Sequence, residues 1–460
     1  MTNLRKKLLL AGLSAGLALL PLAGCTTGGT TESGSKGGSL ESEKNATLSI
    51  MIPGHNPNST EESAWQNPVV EEFRSLYPDV EVEFVNAGWD TWYERTMSAY
   101  QSGDPIDLIN DGANNNPRFA LKGITQPLES YINLDNPNLH KNTMDAVFKY
   151  GGHYYVAVSE TNVAVIFYNK DIFEDEGMDD PLALYEKGEW NWDNFSRIAA
   201  ALTDKEENRW GYASDYPYLF FGMNATSMLT LDDNSRYQLN IDAPALRQSL
   251  EMLQDGVYTS KWCGYDSDPW TTFYRGNAAM LGDFQWVDAQ ILAARDYGLA
   301  DFEYGVAPMP TGPNNTEGVS PITAAGWASG NRSDCPAHTG KPVGMLVDGQ
   351  AAYIGKTNES LDPAHVELYQ TLAQKPFCTN SYDSAVGGAY EICAAVGEGQ
   401  SISQAIEKYK PEYQREVDEA NSSNLDTEFN PTGGETTGSD TDTTWIPNTD
   451  AGTDTTTSAE

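Results

Sequence analysis

Between residues 48 and 112 the chain alternates strand-like and helix-like segments in a steady rhythm. Residues 48–52 form a short apolar run stopped by Pro53 and Gly54. Pro68 opens an amphipathic stretch with Val69, Val70, Phe73 and Leu76 at helical spacing, and Pro78 closes it. Residues 80–85 alternate strictly, as a half-exposed strand does, residues 91–102 read as a helix, and 107–110 as a strand running into Asp111 and Gly112. Strand, helix, strand, helix, strand predicts a parallel sheet with crossover helices, an α/β fold.

The rhythm returns beyond Tyr154. Strands are expected at 154–158, 163–168, 278–281 and 304–308. Helices are expected at 191–202, with Asn191 or Asp193 as cap, and at 244–253, 286–294, 367–373 and 402–419. The body, about residues 47–420, exceeds what one hydrophobic core usually serves, so two lobes are expected.

The amino terminus fixes the compartment. Arg5, Lys6 and Lys7 precede an apolar run over residues 8–20, shorter than the roughly 20 residues a membrane span needs. Leu22, Ala23, Gly24 and Cys25 follow, which resembles the bacterial lipobox: small residues at a cleavage site, then a cysteine whose thiol accepts a diacylglycerol. Residues 1–24 are therefore expected to be a lipoprotein signal peptide and Cys25 the lipidation site. Residues 25–46, rich in Thr, Gly and Ser, read as a flexible tether, and 421–460 as a disordered acidic, Thr-rich tail.

A formal net charge of -38 excludes nucleic acid and anionic membrane faces as partners held by charge. The same charge leaves attraction of cationic ligands open. Beyond Cys25 the cysteines are Cys263, Cys335, Cys378 and Cys393. Four allow three pairings, of which Cys378 with Cys393 closes the shortest loop; buried thiols are the alternative. No Cys-x-x-Cys or His-x-x-x-His spacing is present, so no metal and no cofactor is expected.

Five stretches together resemble the family-one extracellular solute-binding proteins, which include the maltodextrin-binding components of importers. Val69–Phe73 through Tyr77, Pro78 and Val82 is similar to the family's opening helix and strand. Ser102, Gly103, Pro105 and Asp107 resemble its "sG.aPDv". Thr161 to Lys170 and Phe173 resemble "t..l.YNkdlF", after Gly151, Gly152 and Tyr154. Phe273, Gly276, Ala278, Ala279 and Met280 resemble "F..GkaAM", and Tyr304 to Pro310 "ygvaplP". The chain departs from the pattern at residues 156–158, which lack the usual proline, and at 333–349, where the family has a plain helix.

The resemblance implies a two-lobed periplasmic-binding-protein-like fold (type II) with discontinuous lobes and a hinge between them. Lobe 1 would span 47–160 with part of 302–335 returning to it. Lobe 2 would span 161–301 with 336–420 completing it. It implies a monomer that captures a carbohydrate, serves the permease subunits of an ABC importer, and touches the membrane through its lipid anchor alone. The acidic, lysine-poor body and the tether point to a Gram-positive surface.

Sugar binding asks for flat aromatic faces against the C–H faces of a pyranose, and for amides and carboxylates that take its hydroxyls. The loop after strand 278–281 supplies Asp283, Phe284 and Trp286, and a glycine–tryptophan loop supplies Trp327. Further candidates at strand ends are His55, Trp89 and Asp111, with Glu160 and Asn162 where the chain passes the expected hinge. The aromatic stretch 212–221 offers another wall, and Tyr390 and Asp383 add to the list. The competing function is a cell-surface glycan-binding or glycoside-acting lipoprotein. No nucleophile elbow, zinc helix or phosphate loop is present, and the reading is of a binding protein with no catalytic residues.

Overall fold

In the computed structural model the described residues are 47–53, 75, 78, 80–85, 87–88, 91–104, 106–112, 116–232, 236–265, 268–331, 340–375, 377–379 and 389–422. They include an eleven-stranded sheet. Its strands are β1 (Thr47–Met51), β2 (Glu81–Val85), β3 (Leu108–Gly112), β4 (Thr125–Gln126), β5 (Val156–Asn169), β6 (Trp210–Ser214), β7 (Cys263–Tyr265), β8 (Ala278–Phe284), β9 (Tyr304–Pro308), β10 (Ser320–Gly330) and β11 (Phe377–Thr379). The order is β7-β6-β8-β5-β10-β3-β1-β2, with β9 also on β5, and β11 and β4 also on β10.

Two strands join two halves. Residues 156–163 of β5 pair with β10, while 164–168 pair with β8 and 165–169 with β9. β10 pairs in parallel with β11 through residues 320–322 and antiparallel with β3 through 325–329. β1, β2 and β3 are parallel on one side, and β6, β7 and β8 on the other. Each half thus carries the parallel sheet that the sequence rhythm predicts.

The cores follow the same division. Ile50, Leu108, Val158 and Trp327 belong to a first core. Ile166, Phe195, Tyr212 and Met280 belong to a second, on one face of the other half, and Val165, Phe167, Leu281 and Ile291 to a third on the opposite face. A period of two along β5 sends Ala164, Ile166 and Tyr168 to the second core and Val163, Val165 and Phe167 to the third. The architecture is a two-lobed α/β fold with discontinuous lobes joined at the β5–β10 crossing.

Three expectations are amended. Residues 154–158 and 163–168 lie on one strand from 156, not two. The polar run Ser159, Glu160, Thr161 and Asn162 hides the continuity from the sequence, but all four sit inside the sheet. Ala325, Gly326 and Trp327 lie within β10 rather than on a loop. Gly340–Glu359 is a helix of 20 residues, and its Val343, Leu346 and Val347 pack in the first core. The segment placed with the second lobe thus divides, because Leu361, Tyr369 and Leu372 pack in the third core. The helix Ile402–Asn421 packs in the second core through Ala405, Ile406, Tyr413 and Val417. Cys263 and Cys393 are both buried in that core, whereas Cys335 and the side chain of Cys378 lie outside the described residues.

Candidate functional site

β6 and β8 run parallel as neighbours, so the loops at their carboxyl ends open side by side. Such ends are where ligands sit in open α/β sheets. Tyr216 and Tyr218 follow β6, and Trp286 follows Phe284 at the end of β8. Their rings form a continuous run. Trp286 lies 4.8 Å from Phe284, Phe284 5.4 Å from Tyr216, Tyr216 5.5 Å from Tyr218, and Tyr218 5.8 Å from Tyr390, all centroid to centroid. Trp286, Tyr216 and Tyr218 are half-buried, and Tyr390 is 40% exposed. Phe284 is buried beneath them. The run therefore presents aromatic surface outward on a packed base.

The second component is polar and lies on β5 where it meets β10. Gln350, buried on the helix Gly340–Glu359, is its hub. Its Oε1 accepts from Ser159 Oγ at 2.7 Å and from Trp327 Nε1 at 3.0 Å, and its Nε2 donates to Glu160 Oε2 at 2.7 Å. The other Glu160 oxygen accepts from the Asn162 amide. Burial holds the Glu160 carboxyl above the usual carboxylate range, and the two amide donors oppose that shift. Register sets what stands beside this pair. Thr323 is opposite Asn162, Ala325 opposite Glu160, and both are half-buried. Phe284 is opposite Ala164, so its ring shares the face of Asn162 and Glu160. Gln285 ties its loop to β5, donating its N–H to Val163 O at 3.0 Å and accepting the Val163 N–H at 3.3 Å.

On the opposite face of the crossing, Thr161 Oγ1 is 2.8 Å from His140 Nδ1 and 2.9 Å from Thr143 Oγ1. A cavity of about 330 Å³ opens there, lined by His140, Asn142, Thr161 and Ala373 among others. The aromatic run does not line it.

The structure thus gathers Trp286, Phe284, Glu160 and Asn162 at one crossing. It places two other candidates differently. Trp327 is fully buried in the first core with its indole N–H spent on Gln350, so it packs and presents no stacking face. Asp283 is fully buried and both its oxygens are engaged: Oδ2 accepts from Trp270 Nε1 at 2.7 Å and Oδ1 from the Phe284 N–H at 2.6 Å. Alternation explains this, since consecutive residues on a strand face opposite ways and Phe284 takes the face of Tyr216 and Trp286. Asp111 stands opposite Gly326 on β3. Its side chain, with His55, Trp89, Asp383 and Cys25, lies outside the described residues. Gln350 and Trp270 were not singled out in the sequence. Neither stands at a strand end, and Gln350 belongs to the helix that the sequence hid.

Burial pushes the Asp283 carboxyl up to about 7, with Asp215 adding to the push. In an unfolded chain it titrates near about 3.9. Folding therefore favours the protonated form, and the stability this contributes is full below about pH 4 and lost as pH rises through about 7. Asp283→Asn removes that dependence. Urea unfolding at about pH 5 and pH 8 is expected to show the wild type losing on the order of 3 kcal/mol more than the variant between the two. Equal losses would show an ordinary carboxylate.

A family model described as bacterial extracellular solute-binding protein matches residues 56–332. An uncharacterized lipoprotein from the oleD 5′ region of Streptomyces antibioticus is 24% identical over 339 residues, covering 70% of this chain and 69% of that protein. Among solved structures, the ABC substrate-binding protein Lmo0181 of Listeria monocytogenes, in complex with cycloalternan, superposes with a TM-score of 0.65 at 20% identity, covering 80% of this chain and 98% of that one. The GacH receptor of Streptomyces glaucescens, solved unliganded and with acarbose, gives a TM-score of 0.65 at 19% identity, covering 82% and 99%.

Proposed function

The chain belongs to the bacterial extracellular solute-binding proteins, and on that premise we propose that it captures a carbohydrate, an oligosaccharide rather than a single ring, and hands it to the permease subunits of an ABC importer. The observation that carries this reading is the run Trp286, Phe284, Tyr216, Tyr218, Tyr390, set at the carboxyl ends of β6 and β8. Each pyranose needs its own flat platform, and a run of half-open rings supplies several. Glu160 and Asn162 on the crossing strand are proposed to take sugar hydroxyls, with Gln350 holding Glu160 in place. Asp111, His55 and Trp89, at the ends of strands or in the loops beyond them, are proposed to complete the first lobe's side. The complexes with cycloalternan and acarbose support a carbohydrate ligand.

Because β5 and β10 are the strands common to both halves, closure on a ligand is proposed to bend them at the Glu160–Gly326 register shift. The protein is proposed to act as a monomer and to leave its sugar chemically unchanged. Cys25 is proposed to carry the lipid that holds it on the outer face of the cytoplasmic membrane of a Gram-positive cell. The lipoprotein relative supports that anchor. Among the described residues no helix is long and apolar enough to cross a membrane.

Trp286 reports directly on the site. Titration with the bound oligosaccharide is expected to change tryptophan emission saturably in the wild type, and to change it far less in Trp286→Phe. Saturable binding with an unchanged response in that variant would move the site elsewhere.

A further inference from the structure

One helix divides its side chains between the two halves. Asn116–Leu121 begins soon after β3 ends at Gly112, and the turn behind it is fixed to the first half. Asn331, just past β10, donates its backbone N–H to Ile124 O at 2.7 Å and its Nδ2 to Gly123 O at 2.9 Å. Phe119 stacks on Tyr93 at 5.3 Å, and Tyr93 packs against the first core. The next two residues, Ala120 and Leu121, are buried in the second core instead. There the helix packs against Ile402–Asn421.

That partner helix belongs to the second half. Asn421 Oδ1 accepts the Tyr237 N–H at 2.8 Å, and its Nδ2 donates to Tyr237 O at 2.9 Å. Tyr413 OH donates at 3.2 Å to Glu391 Oε2, on the helix Tyr390–Gly397 that carries the last ring of the aromatic run. The contact thus joins a helix beyond the carboxyl end of β3 to one beside Tyr390, and ties the halves at a place other than their shared strands. The charges agree with this. Burial pushes the half-buried Glu416 carboxyl up, and Arg118 on the first half's helix is among the cations that oppose the push.

We propose that the packing of Asn116–Leu121 on Ile402–Asn421 is a clasp across the cleft, which holds the two lobes closed with contacts the protein itself supplies. This rests on the reading of the halves as lobes that close on a ligand, and deepens it. Bending β5 and β10 to open the cleft would draw Ala120 and Leu121 out of the second core and return apolar surface to water. The clasp therefore favours the closed state with or without sugar. By linkage it tightens binding and slows release, because opening must break it.

The test measures the lobe separation directly, in the full chain and without sugar. Spin labels carried by unnatural amino acids at Glu94 and Gln290, both exposed in the first turns of helices that follow β2 and β8, give the distance between the halves by pulsed dipolar spectroscopy. Leu121→Ala is expected to add a longer distance to the distribution, and Leu121→Glu, which sets a charge in the apolar contact, to make that distance dominant. Oligosaccharide affinity, by calorimetry, is expected to fall about fivefold in Leu121→Ala. Should Leu121→Glu fail to fold, Leu121→Ala carries the test alone. A wild-type distance distribution in Leu121→Ala overturns the clasp, whatever sugar binds. A lengthened distance in a protein that binds no saccharide keeps the clasp and overturns the carbohydrate reading instead.

Discussion

Gly326→Ala is expected to destabilise the protein by about 3 kcal/mol or more, the largest effect of any single methyl group added at the crossing. A Cβ at this position would lie 2.2 Å from the Ala157 carbonyl oxygen and 2.8 Å from both Ala157 C and Val158 Cα. These are backbone atoms of β5, which is held to β10 by the ladder here and to β8 and β9 further along, so the strand has little room to retreat. Gly326 sits at the register shift between β5 and β10, beside Trp327 and its bond to Gln350, so a displaced backbone would also disturb the first core. Gly344 provides the control. A Cβ there meets nothing within 4 Å, and the residue lies in the helix Gly340–Glu359. Gly344→Ala is expected to be neutral or to stabilise by about 0.5–1 kcal/mol. Chemical unfolding of the two variants beside the wild type measures both, and equal stabilities would mean the crossing is looser than the register describes.

Trp286→Ala is expected to weaken oligosaccharide binding by about thirtyfold, close to 2 kcal/mol, with little change in stability. Trp286 is half-buried at the start of the helix Val287–Asp296 and leans on Phe284 at 4.8 Å. Its loss removes a platform but opens no sealed cavity. Phe284→Ala is expected to behave differently. Phe284 is buried and touches both Trp286 and Tyr216, so its removal should weaken binding and cost about 3 kcal/mol of stability together. Affinities by titration and stabilities by urea unfolding separate the two cases. A Trp286→Ala variant with wild-type affinity would assign that ring to packing.

Much of the fold was legible because its elements are punctuated. Asn191 caps the helix Trp192–Leu202 through the Asn194 N–H at 3.1 Å, and residues 304–308 form a strand as read. The part of the proposed site legible in the sequence is the aromatic cluster carried by strand ends, namely Phe284 with Trp286 and the Tyr216–Tyr218 stretch, whose rings the fold brings together. What failed was reading direction from identity. Asp283 and Phe284 are neighbours in sequence, yet alternation sends one to Trp270 and the other to the ring of Tyr216. Trp327 follows a glycine as loop tryptophans often do, but that glycine serves a close strand approach. Gln350 was invisible because its role comes entirely from tertiary contacts, with Ser159 and Glu160 about 190 residues away in sequence. Pairing across such distances leaves no periodic trace in the chain.

The most direct test of the account is to titrate the purified protein calorimetrically with the oligosaccharide panel and then recover the sugar. The account predicts saturable binding of one oligosaccharide per chain, abolished or strongly weakened by Trp286→Ala combined with Tyr216→Ala, with the sugar recovered at its original length. Absence of binding across the panel, or recovery of shortened sugar, would contradict it.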